Sequence, residues 1–135
     1  MPLFVLSPAS LAHSAFFAGY YTFLSGNVAY QRANTGVTDA SKDVPEGSSL
    51  RRAVRAHANF VEYTPLTFLL LFLAELNGAP TKYVHAAYFT LFVSRVASSV
   101  GLLLGNKYQA ARASGFIGTL VVLAGSGLYN VRSIY

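Results

Sequence analysis

Residues 51–72 read RRAVRAHANFVEYTPLTFLLLF. Arg51, Arg52 and Arg55 lead into an apolar tract, and Asn59 and Glu62 stand between them and Pro65. The stretch has the length and apolarity of a helix in lipid, yet it carries a guanidinium, an amide and a carboxylate inward. At 100° per residue, Arg52, Arg55, Asn59 and Glu62 fall at about 0, −60, −20 and −80°. They share one face, which runs inward about 15 Å at 1.5 Å per residue. Ionisable groups at that depth are costly and face a bundle interior or a wet cavity. The stripe therefore predicts a polar cleft lined by cations, an amide and an anion.

The rest of the chain supports a membrane setting. Of 135 residues, 53% are hydrophobic and only 11% charged, against about 25% charged in soluble domains. One domain over residues 1–135 is expected. No cysteine is present, which excludes disulfides, thiolate metal sites and a cysteine nucleophile. The net charge of +5 would raise nucleic acid as a partner in a soluble protein. Here the basic residues cluster by membrane side, so nucleic acid is not expected.

Four spans are predicted, at about 7–31, 49–77, 80–104 and 107–130. No Lys or Arg precedes the first, which argues against a signal peptide. Residues 32–48 form a polar loop rich in turn formers. Ser48 or Ser49 caps the second span, and Asn77-Gly78 with Pro80 ends it. Gly105-Asn106 breaks the chain before the fourth span. There Ser114, Gly115, Gly118, Gly125 and Gly127 suit close packing, or merely reflect how common glycine is in lipid. The first loop and its flanks carry Arg32, Lys42, Arg51, Arg52 and Arg55, and the third loop and its flank carry Lys107 and Arg112. Basic residues favour the cytosol, so both termini are expected on the non-cytosolic side. The fold class is an all-α integral membrane up-down bundle of four transmembrane helices.

Depth suggests a partner for Glu62. Arg95 lies about as far in from Gly105 as Glu62 does from Arg51, so a buried Glu62–Arg95 pair is expected. Arg112 opens the fourth span on the same side. Several guanidiniums suit a ligand with two carboxylates, and Glu62 suits a ligand ammonium. The same groups could instead serve only to hold helices or subunits together. His13 and His85 read as lone packing histidines. No His/Asp/Glu cluster has metal spacing; Asp39, Asp43 and Glu46 solvate the loop. Tyr20, Tyr21, Tyr30, Tyr129 and Tyr135 fit interfacial belts.

The run R-A-H-A-N-F-V-E-Y-T-P, Arg55 to Pro65, with Arg52 one turn earlier, resembles the signature of the MAPEG family, the membrane-associated proteins in eicosanoid and glutathione metabolism. The resemblance covers nearly the whole chain and is nearest to short bacterial and fungal members. It implies a homotrimer that binds glutathione between subunits near the cytosolic face. By motif position, Arg55, His57, Asn59, Glu62 and Tyr63 resemble glutathione contacts, with Arg52 and Arg95 beside them. Arg32 resembles another contact. Arg112 resembles the arginine that holds the glutathione thiolate. Leu102 and Ser98 stand where some members carry tyrosines, and Ala113 follows Arg112. These departures weigh against the specific eicosanoid reactions.

The resemblance implies a glutathione transferase or peroxidase acting on lipophilic electrophiles or lipid hydroperoxides. A non-catalytic lipid-binding scaffold of the same fold is the alternative. A small transporter would show repeats or broken helices, and none is evident. The expected location is the endoplasmic reticulum or another internal membrane in a eukaryote, or the inner membrane in a bacterium.

Overall fold

The computed structural model describes residues 6–37, 44–45 and 47–135. Lys42, Asp39, Asp43 and Glu46 lie outside the described residues. Four long helices run Pro8–Thr35 (α1), Ser49–Leu76 (α2), Thr81–Leu104 (α3) and Gln109–Arg132 (α4), with a 3₁₀ turn at Asn106–Tyr108 before α4.

Each helix end has a local cause. At α2 the Ser48 side chain accepts from the backbone N–H of Arg51, satisfying one of the orphan donors of the first turn. Gly78, with φ +90°, lets the chain turn after Asn77, and Ala79 N–H donates to the Ala74 carbonyl. α1 extends to Thr35 and stops at Gly36, whose φ of 70° and bond to the Arg32 carbonyl make a left-handed cap. Arg32 therefore lies in the last turn of α1 rather than in a loop.

Contacts along the helices fix an up-down arrangement. The end of α2 meets the start of α1, where Glu75 binds Ala9 and Ser10. α3 and α4 are antiparallel, because Gly101 faces Arg112 and Ser94 faces Gly118. α2 and α3 form the centre, α1 packs on both, and α4 packs on both. Among the described residues α1 does not touch α4.

An aromatic cluster fills the α1–α2–α3 seam. Phe17 packs edge-on against Phe68 at 5.5 Å and Phe92 at 5.4 Å between ring centroids. Such edge-to-face pairs add to plain burial. The α3–α4 seam is instead built on small residues. A Cβ on Gly101 would come 2.6 Å from the Arg112 Cβ, and one on Gly115 or Gly118 would strike Ser94. Close backbone approach through small residues is how helices associate in lipid. Gly125 and Gly127 have nothing within 4 Å of such a Cβ, and Ser114 is exposed. The packing role therefore belongs to part of the expected set.

Outside, Leu11, Phe16, Tyr83, Phe89, Val121 and Leu128 are exposed. Among the described residues three helices are long and apolar enough to cross a membrane: Ser49–Leu76, Thr81–Leu104 and Asn106–Arg132. α1 is as long as α2 but falls short of that apolarity, because serines, tyrosines and Asn27 interrupt it.

Candidate functional site

The polar residues of α2 divide among three directions. Asn59 and Tyr63, about 40° apart on the helix, face α3 and α4. His57, about 140° from Arg52, faces α1. Arg55 and Glu62 are exposed and hydrogen-bond to nothing among the described residues.

On the α3 side everything is organised by Arg95, which is 1% exposed. Its Nε donates to Thr119 Oγ1 at 2.8 Å. One terminal nitrogen donates to Asn59 Oδ1 at 2.9 Å and to the Asn59 carbonyl at 3.3 Å. The other donates to Ser98 Oγ at 3.1 Å. The guanidinium also lies over the Tyr63 ring, 5.1 Å from its centroid, a favourable cation–π position. The expected Glu62–Arg95 pair is not formed. The two residues do reach similar depth, but Asn59 stands on the face toward α3 and Glu62 about 60° away from it. Arg95 is thus a buried cation whose hydrogen bonds are met by neutral acceptors, with no carboxylate against it among the described residues.

A cavity of about 350 Å³ opens beside this group, lined by Asn59, Tyr63, Ser98, Gln109, Arg112, Ala113 and Phe116. Tyr63 and Phe116 meet edge to face at 5.7 Å and form its apolar wall. Arg112 is exposed at the rim. Its backbone is held close to α3, since its carbonyl accepts from Ser98 Oγ at 3.5 Å and its Cβ abuts Gly101. Arg112 thus lines this small, partly polar space, and Arg95 is buried behind two of its lining residues, Asn59 and Ser98.

A second cavity, about 250 Å³, lies on the α1 flank of α2 and is lined by Ser25, Val28, Ala29, Arg32, Val54 and His57. His57 Nε2 and Ser25 Oγ are 3.1 Å apart. Arg32 and His57 are thus brought together, but apart from the Asn59–Arg112 group. Arg52 joins neither. Its Nε is buried without a hydrogen-bond partner among the described residues, and a terminal nitrogen lies 3.3 Å from where a Cβ on Gly105 would stand. There its charge complements the C-terminal end of α3. Arg51 donates to the Val44 carbonyl.

Sequence reasoning passed over Ser25 and Thr119, and it read Ser98 only as a lost tyrosine. Thr119 had a signal: Arg112, Gly115 and Thr119 recur at i, i+3 and i+7, one face of α4.

Comparison with known proteins bears on this arrangement. The MAPEG family model matches residues 10–132. The chain belongs to the MAPEG family. It is also similar to the inner membrane protein YecN of Escherichia coli, strains K12 and O6:H1, at 39% identity over 54 residues. That alignment covers 40% of this chain and 41% of each relative, so the chain spans under half the length of the relatives it matches. As a MAPEG protein it is a membrane protein with transmembrane helices. His13 and His85 are no longer lone residues: His13 Nε2 lies 3.1 Å from His85 Nδ1, and His13 stacks on Tyr88. Among the described residues no group of three metal-binding side chains occurs.

Proposed function

We propose that this MAPEG chain is a glutathione-dependent membrane enzyme, a transferase or peroxidase for lipophilic electrophiles or lipid hydroperoxides. The observation that carries this reading is Arg95, a buried cation with no carboxylate against it among the described residues, held by Asn59 and Ser98, which line the same cavity as Arg112. Burying an unpaired charge is expensive. A site that keeps one is electrostatically ready for an anion, and a thiolate is one.

Glutathione offers two carboxylates, an ammonium and a thiol, and it supplies the thiol that a chain without cysteine lacks. Arg112 at the cavity rim holds the sulfur as thiolate, since a fixed cation lowers a thiol's pKa. Arg95 adds charge from behind, and Asn59 and Tyr63 orient the ligand. Glu62 meets the ammonium, and Arg55, Arg32 and His57 meet the carboxylates, with Arg52 supporting the site from the α3 end. In transfer, the sulfur lone pair forms a bond to an electrophilic carbon and the leaving group departs with the bonding pair. In peroxide reduction, the sulfur takes the terminal oxygen of a hydroperoxide. The alcohol leaves, and a second glutathione reduces the sulfenic product to the disulfide and water.

The two cavities lie on different flanks of α2, with Arg55 and Glu62 outward between them. One glutathione reaches both only if a neighbouring subunit brings its α1 flank to this subunit's Arg112 flank. That supports a homotrimer with the ligand at the interface. α1 is the fourth span, carried by its packing on α2 and α3. The basic first and third loops favour the cytosol, with both termini outside it. The likeness to YecN favours an inner membrane. The lipid bilayer delivers the acceptor and the cytosol delivers glutathione.

A non-catalytic lipid-binding scaffold is the second reading. It is favoured by Ser98, whose hydroxyl is spent on Arg95, and by Leu102, which packs against the apolar core; neither offers a phenol. Detergent-purified protein given glutathione with an aryl halide, and separately with cumene hydroperoxide, separates the two. Turnover in either assay supports the enzyme, and glutathione binding without turnover supports the scaffold.

A further inference from the structure

Glu75 is a carboxylate near the end of α2, at the opposite end of that helix from Arg51, Arg52 and Arg55, and only 6% exposed. It accepts from Ala9 N–H at 2.8 Å and Ser10 N–H at 2.9 Å, both in the first turn of α1. It also accepts from Ser10 Oγ at 2.6 Å. Ser10 Oγ in turn lies 2.7 Å from Tyr88 OH on α3. The orphan N–H groups at the start of α1 are thus met by a side chain of another helix. Ser7, the residue at the N-cap, makes no side-chain cap bond itself.

This matters because of how α1 is held. Apolar side chains slide against one another in lipid with no hydrophobic penalty, so helix positions there depend on close packing and on polar contacts. Among the described residues the hydrogen bonds between α1 and α2 are those of Glu75 at one end and His57–Ser25 at the other. The α1–α2 seam has no counterpart of the glycine-lined α3–α4 seam: a Cβ on Gly19 or Gly26 of α1 would meet nothing within 4 Å. The Glu75 contacts are three and charge-assisted, and two of them come from backbone N–H groups in the first turn of α1. Charge-assisted bonds are roughly twice as strong as neutral ones, and an anion at a helix N-terminus gains from the macrodipole.

We infer that Glu75 is a positioning residue: its carboxylate fixes the axial register of α1 against α2, and so places Arg32, about 33 Å along the same helix, beside His57. The part concerning Arg32 rests on the function proposed above. A slip of one turn would move Arg32 by about 5.4 Å, out of the cavity it now lines.

The chain has no cysteine, so an introduced pair reports the register cleanly. Ala29 and Val54 line one cavity from opposite helices. Cysteines at both positions, treated with a short bis-maleimide in detergent, should cross-link within one chain. Glu75→Gln, which puts an NH2 where acceptors are needed, should lose that cross-link. Glu75→Asp, which keeps the charge on a shorter arm, should retain an intermediate yield. Cross-linking at the wild-type level in whichever variant folds overturns the inference. Glutathione titration then tests the link to the site. Glu75→Gln should weaken binding by about fivefold or more, the low end of ordinary coupling between distant sites, and should add nothing in an Arg32→Ala background. Equal weakening with and without Arg32 overturns that link. A wild type that binds no glutathione overturns the proposed function, while the cross-link still decides the register.

Discussion

Arg95 of α3 and Asn59 of α2 are joined twice, through the Asn59 side-chain oxygen and its backbone carbonyl. The buried guanidinium is therefore held by an amide together with the Thr119 and Ser98 hydroxyls, with no carboxylate against it among the described residues. Replacing Asn59 with Leu leaves one terminal nitrogen short of its best acceptor. A buried hydrogen bond to a charged group contributes about 1.5–3 kcal/mol, so thermal stability in detergent should fall correspondingly. Asn59→Asp should recover the stability, since the oxygen stays and gains charge. It should also weaken anion binding, because it neutralises Arg95. Tm and glutathione affinity measured together check both outcomes.

Glu62 makes no pair with Arg95, and that separates two roles which depth alone would merge. Glu62→Gln should leave the Tm close to wild type, because the carboxylate is exposed. Affinity for glutathione should drop by about 10–100-fold, the value of one charge-assisted contact. Glutathione lacking its amino group should bind wild type and Glu62→Gln alike. A large Tm loss would show that Glu62 is structural after all.

Gly115 and Gly118 stand where α3 and α4 touch. Gly115→Ala should destabilise the protein by about 1–3 kcal/mol, the usual cost of overpacking, because its Cβ would strike the Ser94 carbonyl and Ser98. Ser98 is also an Arg95 acceptor, so the cavity should suffer with it. Gly125→Ala meets open space and should be neutral or stabilising by up to about 1 kcal/mol through helix propensity. Chemical denaturation in mixed micelles gives both values.

The architecture was legible because its signals are local. Ser48, Asn77-Gly78, Pro80 and Gly105 each mark a helix end by backbone chemistry, and apolar runs of sufficient length lie between them. α1 ran past its expected end because Ala33 favours a helix and Asn34 and Thr35 are polar without being breakers; Gly36 stops it. The partner of Arg95 was not legible for a different reason. Helical rise gives depth, but only the packing decides which azimuth of α2 meets α3, and that azimuth carries Asn59. Arg52 likewise turned to Gly105, a contact that depends on where the α3 end lies. Glu75 gave no sequence signal at all. It sits alone in an apolar run, and its partners are backbone N–H groups 65 and 66 residues away.

Assembly is accessible to mass measurement. Arg55 and Glu62 face outward, and the Arg32 and Arg112 cavities lie on separate flanks, so multi-angle light scattering corrected for detergent should give three chains. A monomer that binds glutathione with full affinity would contradict the interfacial site.

The central claim is that Arg112 holds a glutathione thiolate, and ultraviolet difference titration tests it most directly. Glutathione added to wild-type protein near neutral pH should produce the absorbance of a bound thiolate. Arg112→Ala should lose that absorbance and about 10²–10³ of turnover, as for removal of one anion-stabilising donor. Glutathione affinity should fall much less, since α2 carries most of the ligand contacts. A wild type that shows no thiolate signal, or a mutant that keeps it unchanged, would contradict the account.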